Sequence, residues 1–363
     1  MAFSFKSIFQ SEPKSVLGID VGTSSIKVVQ LRRERGRVLL ETYGAISLGP
    51  YAGVEIGRAT SLPADRIAEA LKDVIREANV TTLSAAMSIP YSSSLISILK
   101  LPLSVEKQLA QVVPIEARKY IPVPINEVML DWFVVGNDKK SDPNAKIEVL
   151  LVAIHNDTIA KFQTIAATAG SHVSFFEIEV FSTVRAALEH GIAPVAVVDI
   201  GAATTKFYVV ERGLIRESHI ISHGSQDLTL SASRSLSIPV TQAEEWKRKF
   251  GLHVPTNPMP AQEHFIESIE LSLGPLLSEL SRTLTAYETR MNQSVGMLVL
   301  TGGGAGLKGM LEYAQSKIAT EVRLADPFSK TQAPAFLEAI LKEAGPEFSV
   351  AVGLALRKLQ EMA

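Results

Sequence analysis

The sequence predicts an α/β protein made by internal duplication: two similar lobes facing each other across a cleft, with a small α+β module set into the first. Three observations predict this. The chain has 363 residues, more than one compact core ordinarily holds, since domains cluster near roughly 100–200 residues. An apolar run ending in Asp-x-Gly occurs twice, at Val16 to Gly22 and Val195 to Gly201, and each is followed by two further strand-like runs, the mark of a repeated unit. Between the copies, from about residue 91 to 155, the pattern changes to that of a separate module.

Taken in order, Val16 to Asp20, Ile26 to Leu31 and Val38 to Tyr43 read as an antiparallel meander with a tight Gly turn after the first strand. Ala64 to Ala78 places Ile67, Ala70, Leu71, Val74 and Ile75 at helical spacing. In the module, a strand-like stretch lies between Ser88-Ile89-Pro90 and Leu101-Pro102-Leu103, a helix is expected from Ser104 to Lys119, and Val128 to Val135 and Lys146 to Ile154 are strands joined by the polar turn Gly136 to Ala145. Asn156 to Gly170 is expected as a helix and Val173 to Ile178 as a strand. The second meander comprises Val195 to Asp199, Lys206 to Val210 and Leu214 to His219. A helix from Pro260 to Met291 is expected to break near Gly274-Pro275, Gly296 to Leu300 is a strand, and Val350 to Leu359 a short closing helix. This assigns 1–90 and 156–192 to the first lobe, 91–155 to the inserted module and 193–363 to the second lobe, with a smaller subdivision at about 226–295.

Composition excludes several classes. A formal net charge of -2 leaves no basic excess for a polyanionic backbone, so nucleic acid is not an expected partner. With no cysteine there are no disulfides, thiolate metal sites or Cys nucleophiles, which fits a cytoplasmic protein. No apolar run approaches the ~20 residues that span a bilayer. Phe3, Phe5, Ile8 and Phe9 allow one amphipathic turn lying on a membrane or partner, with a frayed leader as the plainer reading. His219 and His223 stand four apart, but a strand end and a loop explain them better than a metal site.

The chemistry resides in the two hairpins. In Gly18-Ile19-Asp20-Val21-Gly22-Thr23-Ser24-Ser25-Ile26-Lys27, glycine lets backbone approach an anion while N–H groups and hydroxyls donate to phosphate oxygens. Asp20 cannot face bare phosphate; it needs Mg²⁺, or a water of its shell, in between. Val198-Asp199-Ile200-Gly201-Ala202-Ala203-Thr204-Thr205-Lys206 repeats the arrangement, and two such hairpins facing each other would clamp a triphosphate and its metal. One Asp-x-Gly is common in turns and carries little; the doublet carries more. A third glycine cluster, Thr301-Gly302-Gly303-Gly304-Ala305-Gly306, offers a surface for an adenine ring or ribose, or is a plain strand-to-helix turn.

These motifs, with Gly224-Ser225-Gln226-Asp227-Leu228-Thr229, Ala243-Glu244-Glu245-Trp246-Lys247 and Ala351-Val352-Gly353-Leu354-Ala355-Leu356-Arg357, resemble the type IV pilus assembly protein PilM family, relatives of FtsA in the actin-like ATPase superfamily. The resemblance implies an actin/Hsp70-type fold of duplicated ribonuclease-H-like lobes, with the FtsA/PilM-type subdomain at 91–155. It implies ATP and Mg²⁺ as cofactors, with Asp20 and Asp199 positioning the hydrated metal and Gly22, Thr23, Ser24, Ser25 and Lys27 forming one phosphate loop. Gly201, Thr204 and Thr205 would form the other, with Gly224, Glu244, Lys247, Gly302, Gly303, Gly304 and Ala305 around the nucleoside. Glu244 and Lys247 lie one turn apart, which also suits an ordinary solvated pair. Glu179 resembles the residue that orients an attacking water, with Asp199 as its catalytic companion.

Two departures, Glu177-Ile178-Glu179 for Asp-x-Glu and Gly224-Ser225 for a double glycine, count against efficient hydrolysis more than against binding. The implied role is a cytoplasmic ATP-binding scaffold with at most weak ATPase activity. It would bind the N-terminal peptide of a PilN-like inner-membrane protein and meet other pilus platform proteins, and so sit at the inner membrane through partners. An FtsA-like or actin-like filament-forming ATPase is the alternative. A small-molecule kinase is a third reading, for which Asp131 is the nearest base.

Overall fold

The computed structural model describes residues 15–137, 145–189 and 191–362; the leader with Phe3, Phe5, Ile8 and Phe9, and most of the turn after residue 136, lie outside them. In chain order the elements are β1 (Ser15–Val21), β2 (Ser25–Glu34), β3 (Arg37–Ser47), α1 (Ala64–Glu77), β4 (Ser84–Ile89), β5 (Ser94–Pro102), α2 (Leu109–Ala117), β6 (Val128–Asn137), β7 (Lys146–His155), α3 (Asn156–Ala169), β8 (His172–Ile178) and α4 (Glu179–Ala187). There follow β9 (Val195–Ile200), β10 (Thr205–Glu211), β11 (Leu214–Ile221), α5 (Ser225–Leu236), α6 (Val240–Phe250), α7 (Pro260–Met291), β12 (Met297–Thr301), α8 (Met310–Lys317), β13 (Val322–Leu324) and α9 (Glu338–Glu361).

The duplication is visible in the sheets. One five-stranded sheet runs β3-β2-β1-β4-β8 and the other β11-β10-β9-β12-β13. In each, the first three strands in sequence form an antiparallel meander and the remaining two add in parallel beside the first strand. The registers coincide as well: Asp20 stands opposite Lys27, and Asp199 opposite Lys206. Strands β1 and β9 are buried almost throughout, as expected of central strands covered on both faces.

The inserted residues form a three-stranded antiparallel sheet, β5-β7-β6. One face encloses its own core of Leu99, Leu101, Val113, Ile147, Val149 and Leu151 beside α2. The other contributes Ile96, Leu150 and Val152 to a cluster shared with Ile178 and Val180 of the first lobe and Val197 and Tyr208 of the second. Arg216 of β11 adds an ion pair to Glu148 of β7 at 2.6 Å. The module and both lobes are thus packed together at one end of the cleft.

Three expectations are corrected. The helix expected from Ser104 begins as a 3-10 turn, Leu103–Gln108, before α2. Helix α7 runs unbroken for 32 residues through Gly274-Pro275: Leu273, Leu276, Leu277 and Leu280 are buried around the proline, and their packing outweighs the lost backbone bond, while Leu271, whose carbonyl would meet the proline ring, lies on the exposed side. The closing helix α9 is 24 residues long and covers the first sheet, although it belongs by sequence to 193–363 and its Pro346 carbonyl still accepts from the Gly302 N–H and the Thr301 hydroxyl at the end of β12. A Cβ on Gly18 would come 1.9 Å from the carbonyl oxygen of Ala351, and one on Gly353 would come 2.0 Å from that of Ser182 in α4. These two glycines let α9 wedge its backbone between β1 and α4.

Candidate functional site

The cleft between the lobes has a volume of about 590 Å³, within the range of small-molecule sites. Two of its walls are the hairpins. In the first, the Gly22 N–H donates to the Ser25 carbonyl at 3.0 Å; in the second, the Gly201 N–H donates to the Thr204 carbonyl at 3.0 Å. The same tight turn therefore closes both, and Asp20 and Asp199 stand at matching strand ends, both buried.

Asp20 Oδ1 accepts from Ser88 Oγ at 2.8 Å, and Ser88 in turn accepts from the Val21 N–H. Burial pushes the Asp20 carboxyl above its ordinary value; Lys27, Ser88 and Lys206 oppose the shift and the charge of Asp199 adds to it. Lys206 donates to Glu179 Oε2 at 2.8 Å and to Asp199 Oδ2 at 3.2 Å. Burial alone would lower the Lys206 ammonium, but the two carboxylates hold it above the usual lysine range. Glu179, first residue of α4, is raised chiefly by burial, and its Oε1 accepts the Tyr91 N–H at 2.7 Å.

The third wall follows β12. Gly302 has φ +84°, and a Cβ there would meet Asp199 Oδ1 at 2.3 Å and the Ile200 carbonyl oxygen at 2.6 Å; only glycine lets this turn close over the second hairpin. On the far side, Glu244 and Lys247 of α6 pair at 2.6 Å, both buried, with the Thr229 hydroxyl bonded to each. The loop before α1 reaches this point from the first lobe: the Ala59 N–H donates to Gln226 Oε1 at 3.0 Å, and Gly57, at φ +88°, leaves no room for a Cβ beside the Glu244 carboxylate.

Asp20, Gly22, Thr23, Ser24, Ser25, Lys27, Glu179, Asp199, Gly201, Thr204, Glu244, Lys247, Gly302, Gly303 and Gly304 all line this cleft. Three residues expected there do not. Thr205 alternates away on β10, fully buried, and donates to the His223 carbonyl. Gly224 lies behind the second hairpin, where a Cβ would strike the Ala202 carbonyl at 2.3 Å; it lets α5 start against that turn. Ala305 is buried in the second-lobe core. Glu177 is turned away from Glu179 into an ion-pair network with Arg185 and Arg357. Asp131 is exposed on β6 and is not among the cleft residues. Sequence reasoning missed Lys206 as a member, together with Glu343 and Glu347 of α9, and missed Ser88, which supports Asp20 from behind. Lys206 was findable, because it sits inside the quoted motif, opposite Asp199 in a hairpin whose register the turn fixes.

Among the described residues no three His, Cys, Asp or Glu side chains cluster as a metal cage, and no helix is long and apolar enough to cross a membrane.

The sequence model of the family described as type IV pilus assembly protein PilM matches residues 18–359. The chain belongs to that family. Among solved structures, the PilM-PilN type IV pilus biogenesis complex matches with a TM-score of 0.79 at 24% identity, covering 95% of this chain and 98% of that one. MreB5 of Spiroplasma citri bound to AMPPNP matches at a TM-score of 0.54 and 10% identity, covering 97% and 98%. FtsA of Streptococcus pneumoniae is 24% identical over 344 residues, 85% of this chain and 75% of that protein, and FtsA of Bacillus subtilis is 22% identical over 357 residues, 86% and 78%. The fold of this PilM family member is therefore the actin-like one that its duplicated hairpins anticipate, and its sequence kinship runs to the FtsA branch.

Proposed function

We propose that this PilM family member is an ATP-binding scaffold of the type IV pilus assembly platform, placed at the cytoplasmic face of the inner membrane by binding the N-terminal peptide of a PilN-like protein. The observation that carries the nucleotide half is the mirrored pair of Gly-closed hairpins, each ending its first strand in a buried Asp, on opposite walls of one cleft.

The residues fit a magnesium nucleotide. Glycines at 22, 201 and 302 let the three turns close tightly, since a Cβ at each would press on the turn's own backbone or on the second hairpin. Asp20 commits Oδ1 to Ser88 and Asp199 commits Oδ2 to Lys206, so each keeps a second oxygen for a water of the metal shell, as expected of a hard cation that stays largely hydrated. Bound magnesium would offset phosphate charge. The chain's own contribution is to fix the two hairpins, to exclude bulk water with the Gly57 loop, and to present Glu244 and Lys247 on the nucleoside side. The AMPPNP carried by the MreB5 structure supports this reading.

The partner half rests on the likeness to the PilM-PilN complex and on the inserted sheet, whose strand β6 is an edge with Met129 and Phe133 exposed. An extended peptide gains affinity from main-chain bonds and selectivity from side-chain pockets. Because the module shares a core with both lobes, a ligand that sets the lobe angle also acts on the module.

A titration of a PilN-type N-terminal peptide against the full chain with ATP, with ADP and without nucleotide should give affinities differing by about threefold or more, a coupling near 0.7 kcal/mol or above. Equal affinities in all three would remove the coupling; absence of peptide binding in every state would remove the partner.

A further inference from the structure

The duplication places a lysine at the same register in both hairpins, opposite Asp20 and opposite Asp199, yet the two lysines do different things. Lys27 donates to the Ser25 hydroxyl at 2.9 Å. Lys206 stands between two acids, 2.8 Å from Glu179 Oε2 and 3.2 Å from Asp199 Oδ2, with 13% of its side chain exposed. The placement is enforced from several sides. The β9–β10 register holds Lys206 beside Asp199, and Tyr208, two residues on and so on the same face of β10, fills the core behind it. Glu179 is fixed from the opposite side by the Tyr91 N–H. Both oxygens of Glu179 are therefore engaged, one by backbone at the start of the inserted module and one by a second-lobe cation.

We propose that Lys206 is a built-in counter-cation of the cleft: its ammonium supplies, on the second-lobe side, part of the positive charge that a polyphosphate requires, and it holds Glu179 in place. The inference rests on the nucleotide reading above and deepens it. At the cleft floor, Asp20, Glu179 and Asp199 face Lys27 and Lys206, three acids against two bases. Removing the Lys206 charge leaves three against one, and an incoming polyanion then meets a floor with a larger acid excess, which a divalent ion offsets. At the short separations of a largely buried site, one unit charge changes binding far more than it does in water. Nucleotide affinity in the wild type therefore depends less on metal than it does once this charge is gone.

The test is the ratio of ATP affinity in magnesium to ATP affinity in EDTA, measured by calorimetry on the full chain for wild type, Lys206→Gln and Glu179→Gln, each checked for folding by circular dichroism. The ratio should rise at least about tenfold in Lys206→Gln and fall in Glu179→Gln, where one acid is removed and the ammonium is left in excess. If Lys206→Gln does not fold, the double variant Glu179→Gln/Lys206→Gln, which removes the acid and its ammonium together, carries the test: its ratio should lie above that of Glu179→Gln, and equal ratios in the two overturn the role of Lys206. Ratios equal to that of the wild type in every folded variant overturn the role of Lys206 while leaving nucleotide binding intact. A wild type that takes up no ATP with or without magnesium overturns the nucleotide reading itself.

Discussion

Gly18→Ala should lower the apparent melting temperature by about 4 °C, the equivalent of roughly 3 kcal/mol in a chain of this size. A methyl on Gly18 would lie 1.9 Å from the Ala351 carbonyl oxygen and 3.0 Å from the Ala355 nitrogen. Those are backbone atoms of α9 and have no rotamer to change, so relief requires α9 to shift off β1. Everything that α9 seals moves with it: Phe328, Phe348, Val352 and Leu356 pack with Val16, Val29 and Leu31 in one cluster, and Glu343 and Glu347 face the cleft from the same helix. Gly353→Ala should act similarly, through the Ser182 carbonyl at 2.0 Å. Differential scanning calorimetry with a surface Gly191→Ala control, where a Cβ meets nothing within 4 Å and the backbone is not left-handed, separates the packing clash from the general effect of losing a glycine; equal losses at Gly18 and Gly191 would contradict it.

Glu177→Gln should cost about 2–3 kcal/mol, less than a fully buried pair because both arginines keep part of their surface in water. The carboxylate is 6% exposed and accepts two bonds from Arg185 at 2.8 Å, one from Arg357 at 2.7 Å and one from Ser182; the Arg357 guanidinium also covers the Phe175 ring at 4.1 Å. It ties β8, α4 and α9 together. Burial would push this carboxyl up, but Arg185, with Ser182 and Arg357, holds it below the ordinary value of 4.5. The sign follows. A depressed acid stabilises the folded chain above its unfolded pKa and loses that contribution as pH falls through the folded value. Urea denaturation should thus show a constant gap between wild type and Glu177→Gln above pH about 5, closing below pH about 4. A gap that widens on acidification would contradict the assignment.

The parts of this protein legible in its sequence are those that local physics decides. An apolar run, Asp-x-Gly, then a second run fixes strand, turn and strand within about sixteen residues, so both hairpins and the duplication could be read directly. The pairing of Glu244 with Lys247 followed from helical spacing. What sequence could not supply was which neighbour each surface meets. Gly18 and Gly353 carry no sign of their partners, so α9 was assigned by its place in the chain to the lobe it follows rather than to the sheet it covers. Pro275 looked like a break because local propensity says so, and a leucine core overrode it. Thr205 and Thr204 are adjacent and alike in type, and only the two-residue alternation of β10, once its start was known, sends one to the cleft and the other to the His223 carbonyl. Glu177 and Glu179 are separated by the strand-to-helix junction, which turns them to different sides.

The central claim is that two matched acidic-glycine turns hold one nucleotide between the lobes, and calorimetric titration of the full chain with magnesium ATP tests it most directly when Gly302→Ala is run alongside. The account predicts one site per chain in the wild type, and affinity at least about tenfold weaker in the variant, whose methyl would collide with Asp199 Oδ1. No binding by the folded wild type, or equal binding by both proteins, would contradict it.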